Sequence, residues 1–229
     1  MRSSRKSKHK SAINRWFYIV IAIVLLSIAV FFFYKMQSNQ GNTDQDNLTN
    51  IQENNSLSLK RYFMPSGTTA YFKGTGNEYA SYKETTTWLG EDYVQTIIEN
   101  GGAIVEKIYR ITTSEVQLVL QQEVAEQPTS VYTEQELHAL ESIAVMLTLP
   151  FEEGKKMGNR QMVILPTEID TAYGHFTDVM VVEEVLDNGK TRYFYAPDYG
   201  VVRTEFYYNN ELAVTSELAS INEPYLENE

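Results

Sequence analysis

The sequence predicts a mainly β protein: a curved antiparallel meander sheet with a short helix, preceded by one transmembrane helix. Three observations predict it. Residues 60 to about 225 are rich in Tyr, Val, Thr, Ile and Phe, and turn chemistry interrupts them about every 8–12 residues. The connections are too short to cross over between parallel strands, which leaves antiparallel hairpins. An unbroken apolar run from Trp16 to Tyr34 stands apart near the N-terminus.

The first 15 residues are a basic tail. Residues 1 to 35 carry seven basic side chains and no acid, although the whole 229-residue chain has a net charge of -11. The remainder therefore holds 12 basic against 30 acidic residues, or -18. Six of the positive charges precede the apolar run and Lys35 alone closely follows it. The positive-inside rule then puts the N-terminus in the cytoplasm and the C-terminal part outside the cell.

Residues 16–35 are read as the membrane span and signal anchor, the bilayer being the chain's first predicted partner. At about 1.5 Å per residue the run just crosses a hydrocarbon core of roughly 30 Å. Trp16, Phe17, Tyr18 and Tyr34 sit at its ends, where such rings favour the headgroup interface. A cleaved signal peptide has the same basic-then-apolar order, but a shorter apolar region and a small-residue cleavage site. Phe31-Phe32-Phe33-Tyr34-Lys35-Met36 offers no such site, so an uncleaved anchor is the expectation.

Residues 36–59 change abruptly to Asn, Gln, Asp, Ser and Thr, and are read as a disordered polar linker. A stretch with so few apolar side chains cannot offset the entropy of ordering it. Asn42, Asp44 and Asp46 imitate the start of a calcium loop, without its glycine or distal Glu at the required spacing.

Residues 60–229 are the expected extracytoplasmic β-rich domain. Asn100-Gly101-Gly102 separates a strand over Tyr93 to Glu99 from one over Ala103 to Thr112. Val116, Leu118 and Leu120 alternate with Gln117, Val119 and Gln121, giving one apolar and one mixed side. Thr133-Glu134-Gln135-Glu136 has capping-box spacing, so a short helix is expected from Glu134 to about Ser142. Ala144 to Leu149 reads equally as its continuation or as a strand. Asp187-Asn188-Gly189-Lys190 predicts a hairpin, since Asn and Gly accept the positive φ of a type I′ turn. Asp198-Tyr199-Gly200 and Asn209-Asn210 mark two further turns.

Residues that could carry chemistry form no constellation. His9, His138 and His175 are remote from one another in sequence, so neither a histidine metal site nor a Ser-His-Asp triad is expected. Glu152-Glu153 and Glu183-Glu184 are adjacent pairs, which on a strand point to opposite faces and read as solvated acids. Gly74-Thr75-Gly76 lacks the third glycine of a dinucleotide loop. Tyr193, Tyr195, Tyr199, Tyr207 and Tyr208 are explained by strand propensity and core packing, with a sugar or lipid groove as the alternative. The chain has no cysteine, which excludes disulfides, thiolate metal sites and a lipidated cysteine. Its acidity argues against nucleic acid as a partner.

The segment Tyr193 to Glu205 resembles a recurring close in uncharacterised extracytoplasmic lipoproteins of Gram-positive bacteria. Gly76-Asn77-Glu78-Tyr79-Ala80, Asn100-Gly101-Gly102, Leu149-Pro150-Phe151 to Gly154, Ile169 to Phe176 and Ser216-Glu217-Leu218 extend the resemblance over about residues 62 to 222. It implies a fold and a compartment, and no activity. Two departures stand out: there is no lipobox cysteine, so a transmembrane anchor would replace the lipid, and Met157 stands where such proteins often carry Trp.

These readings predict a single-pass cell-membrane protein with an extracellular, non-enzymatic binding or interaction module for an envelope component or protein partner. No catalytic, cofactor-binding or metal residue is assigned. The alternative is a carrier or sensor of a lipid or other apolar ligand in a cavity of the sheet. A second alternative is a carboxylate-dependent envelope hydrolase.

Overall fold

Among the described residues, every strand pairing joins neighbours in sequence, with one exception that organises the rest. The computed structural model describes residues 58–126 and 132–222. The tail, the apolar run at 16–35 and the linker up to residue 57 lie outside the described residues. Among those described, no helix is long and apolar enough to cross a membrane.

The first six strands are β1 (Thr69–Thr75), β2 (Tyr82–Trp88), β3 (Tyr93–Glu99), β4 (Ile104–Ile111), β5 (Glu115–Val124) and β6 (Ala144–Thr148). The second six are β7 (Lys156–Met157), β8 (Arg160–Asp170), β9 (His175–Leu186), β10 (Gly189–Ala196), β11 (Gly200–Tyr208) and β12 (Glu211–Asn222). Both sets are antiparallel meanders. The exception is β1 against β12, which joins them into one sheet in the order β6-β5-β4-β3-β2-β1-β12-β11-β10-β9-β8-β7.

This order forces curvature. Twelve strands about 4.8 Å apart would put the edges of a flat sheet roughly 50 Å from each other. The connection between those edges, residues 149–155, can span at most about 28 Å when fully extended. The sheet therefore curls until β6 and β7 touch without forming a ladder, giving a near-barrel.

A β-bulge corrects the expected alternation in β5. Ile108 faces Leu120 while Tyr109 faces Leu118, so Val119 is the extra residue. Beyond it the faces exchange. Val116 and Leu118 belong to the inner core, whereas Val119 and Leu120 pack outside with Tyr93 and Ile108.

The outer cluster receives the helix α1 (Glu134–Ala139) through Leu137 and Leu140. Both arms of its capping box are formed. Just before the cap, the Tyr132 hydroxyl donates to Glu106 Oε1 (2.9 Å), and the same buried carboxylate accepts from Gln95 Nε2 (2.6 Å) and Gln122 Nε2 (2.8 Å). The helix ends at Ala139 rather than Ser142. Ala144–Thr148 is a strand, because it supplies partners to the otherwise open edge of β5.

Two sequence expectations shift in detail. The β9–β10 turn is Asp187-Asn188, with Leu186 facing Gly189, and none of these residues takes the left-handed backbone. Gly189 is required for another reason: a Cβ there would strike the Tyr207 carbonyl oxygen of β11. Left-handed residues pair instead at Asn209 (φ 51°) and Asn210 (φ 66°), between β11 and β12. The expected boundary at residue 60 also moves. Residues 58–60 form a helical turn, and Leu59 is completely buried in the inner core. From there the chain crosses the interior, with Tyr62 and Phe63 against the inner cluster and Met64 buried beyond them.

Candidate ligand-binding site

The interior of the curled sheet is not filled. Strand alternation aims Tyr82, Glu84 and Thr86 of β2, Thr96 and Ile98 of β3, and Lys107 and Tyr109 of β4 into it. Their registers agree, since Glu84 faces Ile98, Thr86 faces Thr96, and Thr96 faces Lys107. From the second meander come Arg160 of β8, Glu184 of β9, and Tyr193 and Tyr195 of β10. Together with Tyr62, Phe63, Met64, Leu118, Met146 and Leu147 they enclose a cavity of about 470 Å³. That lies within the range of roughly 300–1,000 Å³ usual for small-molecule sites.

The segment before β1 closes part of this space and is tied down at several points. Arg61 forks onto Asp198, at 3.0 Å from Nε to Oδ1 and 2.7 Å from Nη2 to Oδ2. Trp88 Nε1 donates to the Met64 carbonyl oxygen (3.0 Å), and Lys60 Nζ lies 3.2 Å from Asp92. Tyr62 meets Phe151 edge to face, with ring centroids 5.5 Å apart.

Two acidic and two basic side chains share the cavity. Arg160 Nη2 donates to Glu184 Oε2 (2.7 Å), and the guanidinium lies 4.8 Å from the centre of the Tyr193 ring. Glu184 also accepts from the Tyr193 hydroxyl at Oε2 (2.8 Å) and from Asn159 Nδ2 at Oε1 (3.1 Å). Its carboxylate is thereby engaged on both oxygens. Arg160 is only 7% exposed, with Nε and Nη1 buried and the Tyr195 hydroxyl as a further neighbour, and Thr96 meets the Tyr109 hydroxyl.

Glu84 and Lys107 make no ion pair within 4 Å among the described contacts. Both are half-buried and line the cavity. Burial lifts the Glu84 carboxyl above its ordinary value, and the Lys107 charge only partly opposes this. Burial likewise lowers Lys107; Glu84 opposes the fall and the Arg160 charge reinforces it. Desolvation pushes the hydroxyls of Tyr82, Tyr109, Tyr193 and Tyr195 upward, so all four remain protonated donors at neutral pH.

No family model and no curated protein matches the chain. In structure it is similar to a "putative lipoprotein" of Parabacteroides distasonis ATCC 8503, with a TM-score of 0.44 and 18% identity over 70% of this chain and 98% of the other. It is also similar to a "putative exported protein with YmcC-like fold" of Bacteroides fragilis NCTC 9343, with a TM-score of 0.39 and 15% identity over 71% of this chain and 98% of the other.

The residues singled out in the sequence are dispersed. His138 on α1 accepts or donates at Nδ1 to the Tyr93 hydroxyl (3.2 Å) and lies 3.5 Å from Glu134. His175 opens β9 beside Asp170 (2.9 Å) and Glu168 (3.6 Å) on the exterior. Among the described residues, no group of three or more His, Asp or Glu side chains is arranged to hold a metal ion.

Glu183 and Glu184 do point to opposite faces. Glu183 meets Lys190 (3.0 Å) and Arg192 (2.9 Å) outside the cavity, but Glu184 is an interior ion-pair partner and not the solvated acid expected. Tyr193, Tyr195 and Tyr199 of the late aromatic concentration line the cavity, whereas Tyr208 is exposed.

Sequence reasoning did not find Glu84, Lys107 or Arg160. In Tyr82-Lys83-Glu84-Thr85-Thr86-Thr87-Trp88 both alternating sets are largely polar, so nothing marks which one faces inward. The lone available signal was the connection 149–155 between opposite edges of the sheet.

Proposed function

We propose that this chain is a non-enzymatic binding module that takes an amphipathic ligand into the interior of its curled sheet. The cavity carries the reading. It combines an apolar and aromatic wall (Tyr62, Phe63, Met146, Leu147) with charged groups on strands from both meanders. A scaffold would gain stability by filling this space, since unfilled volume forfeits packing contacts. A carrier needs it open.

The non-enzymatic part of the reading rests on the carboxylates. Glycoside hydrolysis uses two acting together. Among the described residues Glu84 and Glu184 line the cavity, and Glu184 is already held by Arg160, Tyr193 and Asn159. The location proposed is the cell envelope, with residues 16–35 as a single-pass anchor, the N-terminus in the cytoplasm and the sheet outside. Its support is the apolar run and the charge asymmetry around it.

Native mass spectrometry of the full chain released from lipid nanodiscs tests the function. A retained amphiphile that leaves on collisional activation is the expected result. A consistently bare protein, or turnover of peptidoglycan fragments or glycosides that Glu84→Gln abolishes, would overturn it.

A further inference from the structure

The hydrogen-bonding inventory of the cavity is unbalanced. Among the described residues, the Lys107 side chain lines the cavity and makes neither a hydrogen bond nor an ion pair, and the buried guanidinium of Arg160 has Glu184 as its one carboxylate partner. On the accepting side, Glu184 has both oxygens taken. Glu84 is the remaining carboxylate, and it stands apart from every cation by more than the 4 Å of an ion pair. An ammonium group inside a protein is normally paired, so an unpaired one facing an open space indicates a missing acceptor.

We infer that the cavity reads an anionic head group, a carboxylate or comparable oxyanion on an amphiphile, with Lys107 as the contacting cation and Arg160 behind it. This rests on the proposed function and names the ligand's chemistry. Lys107 is the group with surface facing the cavity, whereas Nε and Nη1 of Arg160 are covered and the guanidinium acts through its charge. The two cations repel each other across the cavity. An anion seated between them turns that repulsion into attraction on both sides, in surroundings where little water screens it. Leu118, Met146 and Leu147 provide an apolar wall for the rest of the molecule. Ammonium ligands are disfavoured, because two cations would meet the one free carboxylate.

The test uses the full chain in lipid nanodiscs, with empty nanodiscs as the reference, and equilibrium dialysis of four probes: decanoate, decanol, decylammonium and acetate. Wild type is expected to bind decanoate at least about tenfold more tightly than decanol, the size of one charge-assisted hydrogen bond. Lys107→Met should collapse that ratio and Lys107→Arg should restore it. Decanol bound as tightly as decanoate, a ratio unchanged in Lys107→Met, or a preference for decylammonium would overturn the inference while leaving an amphiphile-binding cavity standing. Acetate bound as tightly as decanoate would make this a small-anion site and overturn it too. If none of the probes binds, the binding function itself fails with it.

Discussion

Arg160 Nη2 lies 2.7 Å from Glu184 Oε2 across the β8–β9 ladder, and the pair stands inside the sheet with little contact with solvent. Removing one partner of a buried pair leaves an uncompensated charge, at a cost of about 3–5 kcal/mol, whereas replacing both by apolar groups is often close to neutral. Glu184→Leu is expected to be the worse single change, because it strips Arg160 of the acceptor it holds. The double variant Arg160→Met/Glu184→Leu should unfold nearer to wild type than Glu184→Leu does. Urea unfolding of the four proteins gives the coupling directly; additive losses would show that the pair is not energetically joined.

Leu59 is the first fully buried side chain of the described domain, and it sits at the end of a stretch whose composition reads as linker. Leu59→Ala is therefore expected to cost about 2–5 kcal/mol, as buried leucines do, and not the few tenths of a linker position. A midpoint shift in denaturant at unchanged slope would confirm it. The same residue makes domain boundaries testable: fragments starting at 58 should be more stable than fragments starting at 60.

These cases show what the sequence made legible. The strand Tyr93–Glu99 and the capping box at Thr133 are local features, fixed by alternation, turn residues and hydrogen-bond chemistry within a few positions. Leu59 was hidden because a single leucine in a polar tract has no period. The exchange of faces beyond Leu118 was hidden because a bulge is set by the partner strand β4. Lys107 and Arg160 meet only when two meanders close on each other through the β1–β12 pairing, a contact between the two ends of the domain that no local window contains. Composition announces a β-rich chain; the cavity comes from the order of its strands.

Thr133 is expected to matter beyond its exposed position. Its N–H donates to Glu136 Oε2 (2.8 Å), its hydroxyl does the same (2.8 Å), and the Glu136 N–H donates back to Thr133 Oγ1 (3.3 Å). Helix α1 is too short to persist without its cap and the contact of Leu137 with the outer cluster. Thr133→Ala should cost about 0.5–2 kcal/mol, seen as faster amide exchange at Leu137. The backbone and hydroxyl bonds hold the Glu136 carboxyl below its ordinary value. Their contribution is present at neutral pH and is lost as pH falls from the ordinary glutamate range through the depressed value.

Glu84 carries the opposite sign. Desolvation lifts its carboxyl above the ordinary value against the attraction of Lys107, and Tyr82 and Tyr109 are the other titratable groups that feel it. The folded state therefore holds its proton at a pH where the unfolded chain has released it. Below the ordinary value both states are protonated and nothing is lost. As pH rises from there through the lifted value, the folded state must bear a poorly solvated charge, and stability falls. Glu84→Gln removes this dependence and keeps the shape. The variant should match wild type in acid and exceed it at neutral pH, with the gap opening above the ordinary glutamate range, in thermal unfolding followed across pH. A gap of reversed sign would mean that Lys107 stabilises the carboxylate more than burial disfavours it. Anionic ligand should widen the difference, because an anion at Lys107 lifts the Glu84 carboxyl still further above its unfolded value, and Glu84→Gln is free of that penalty.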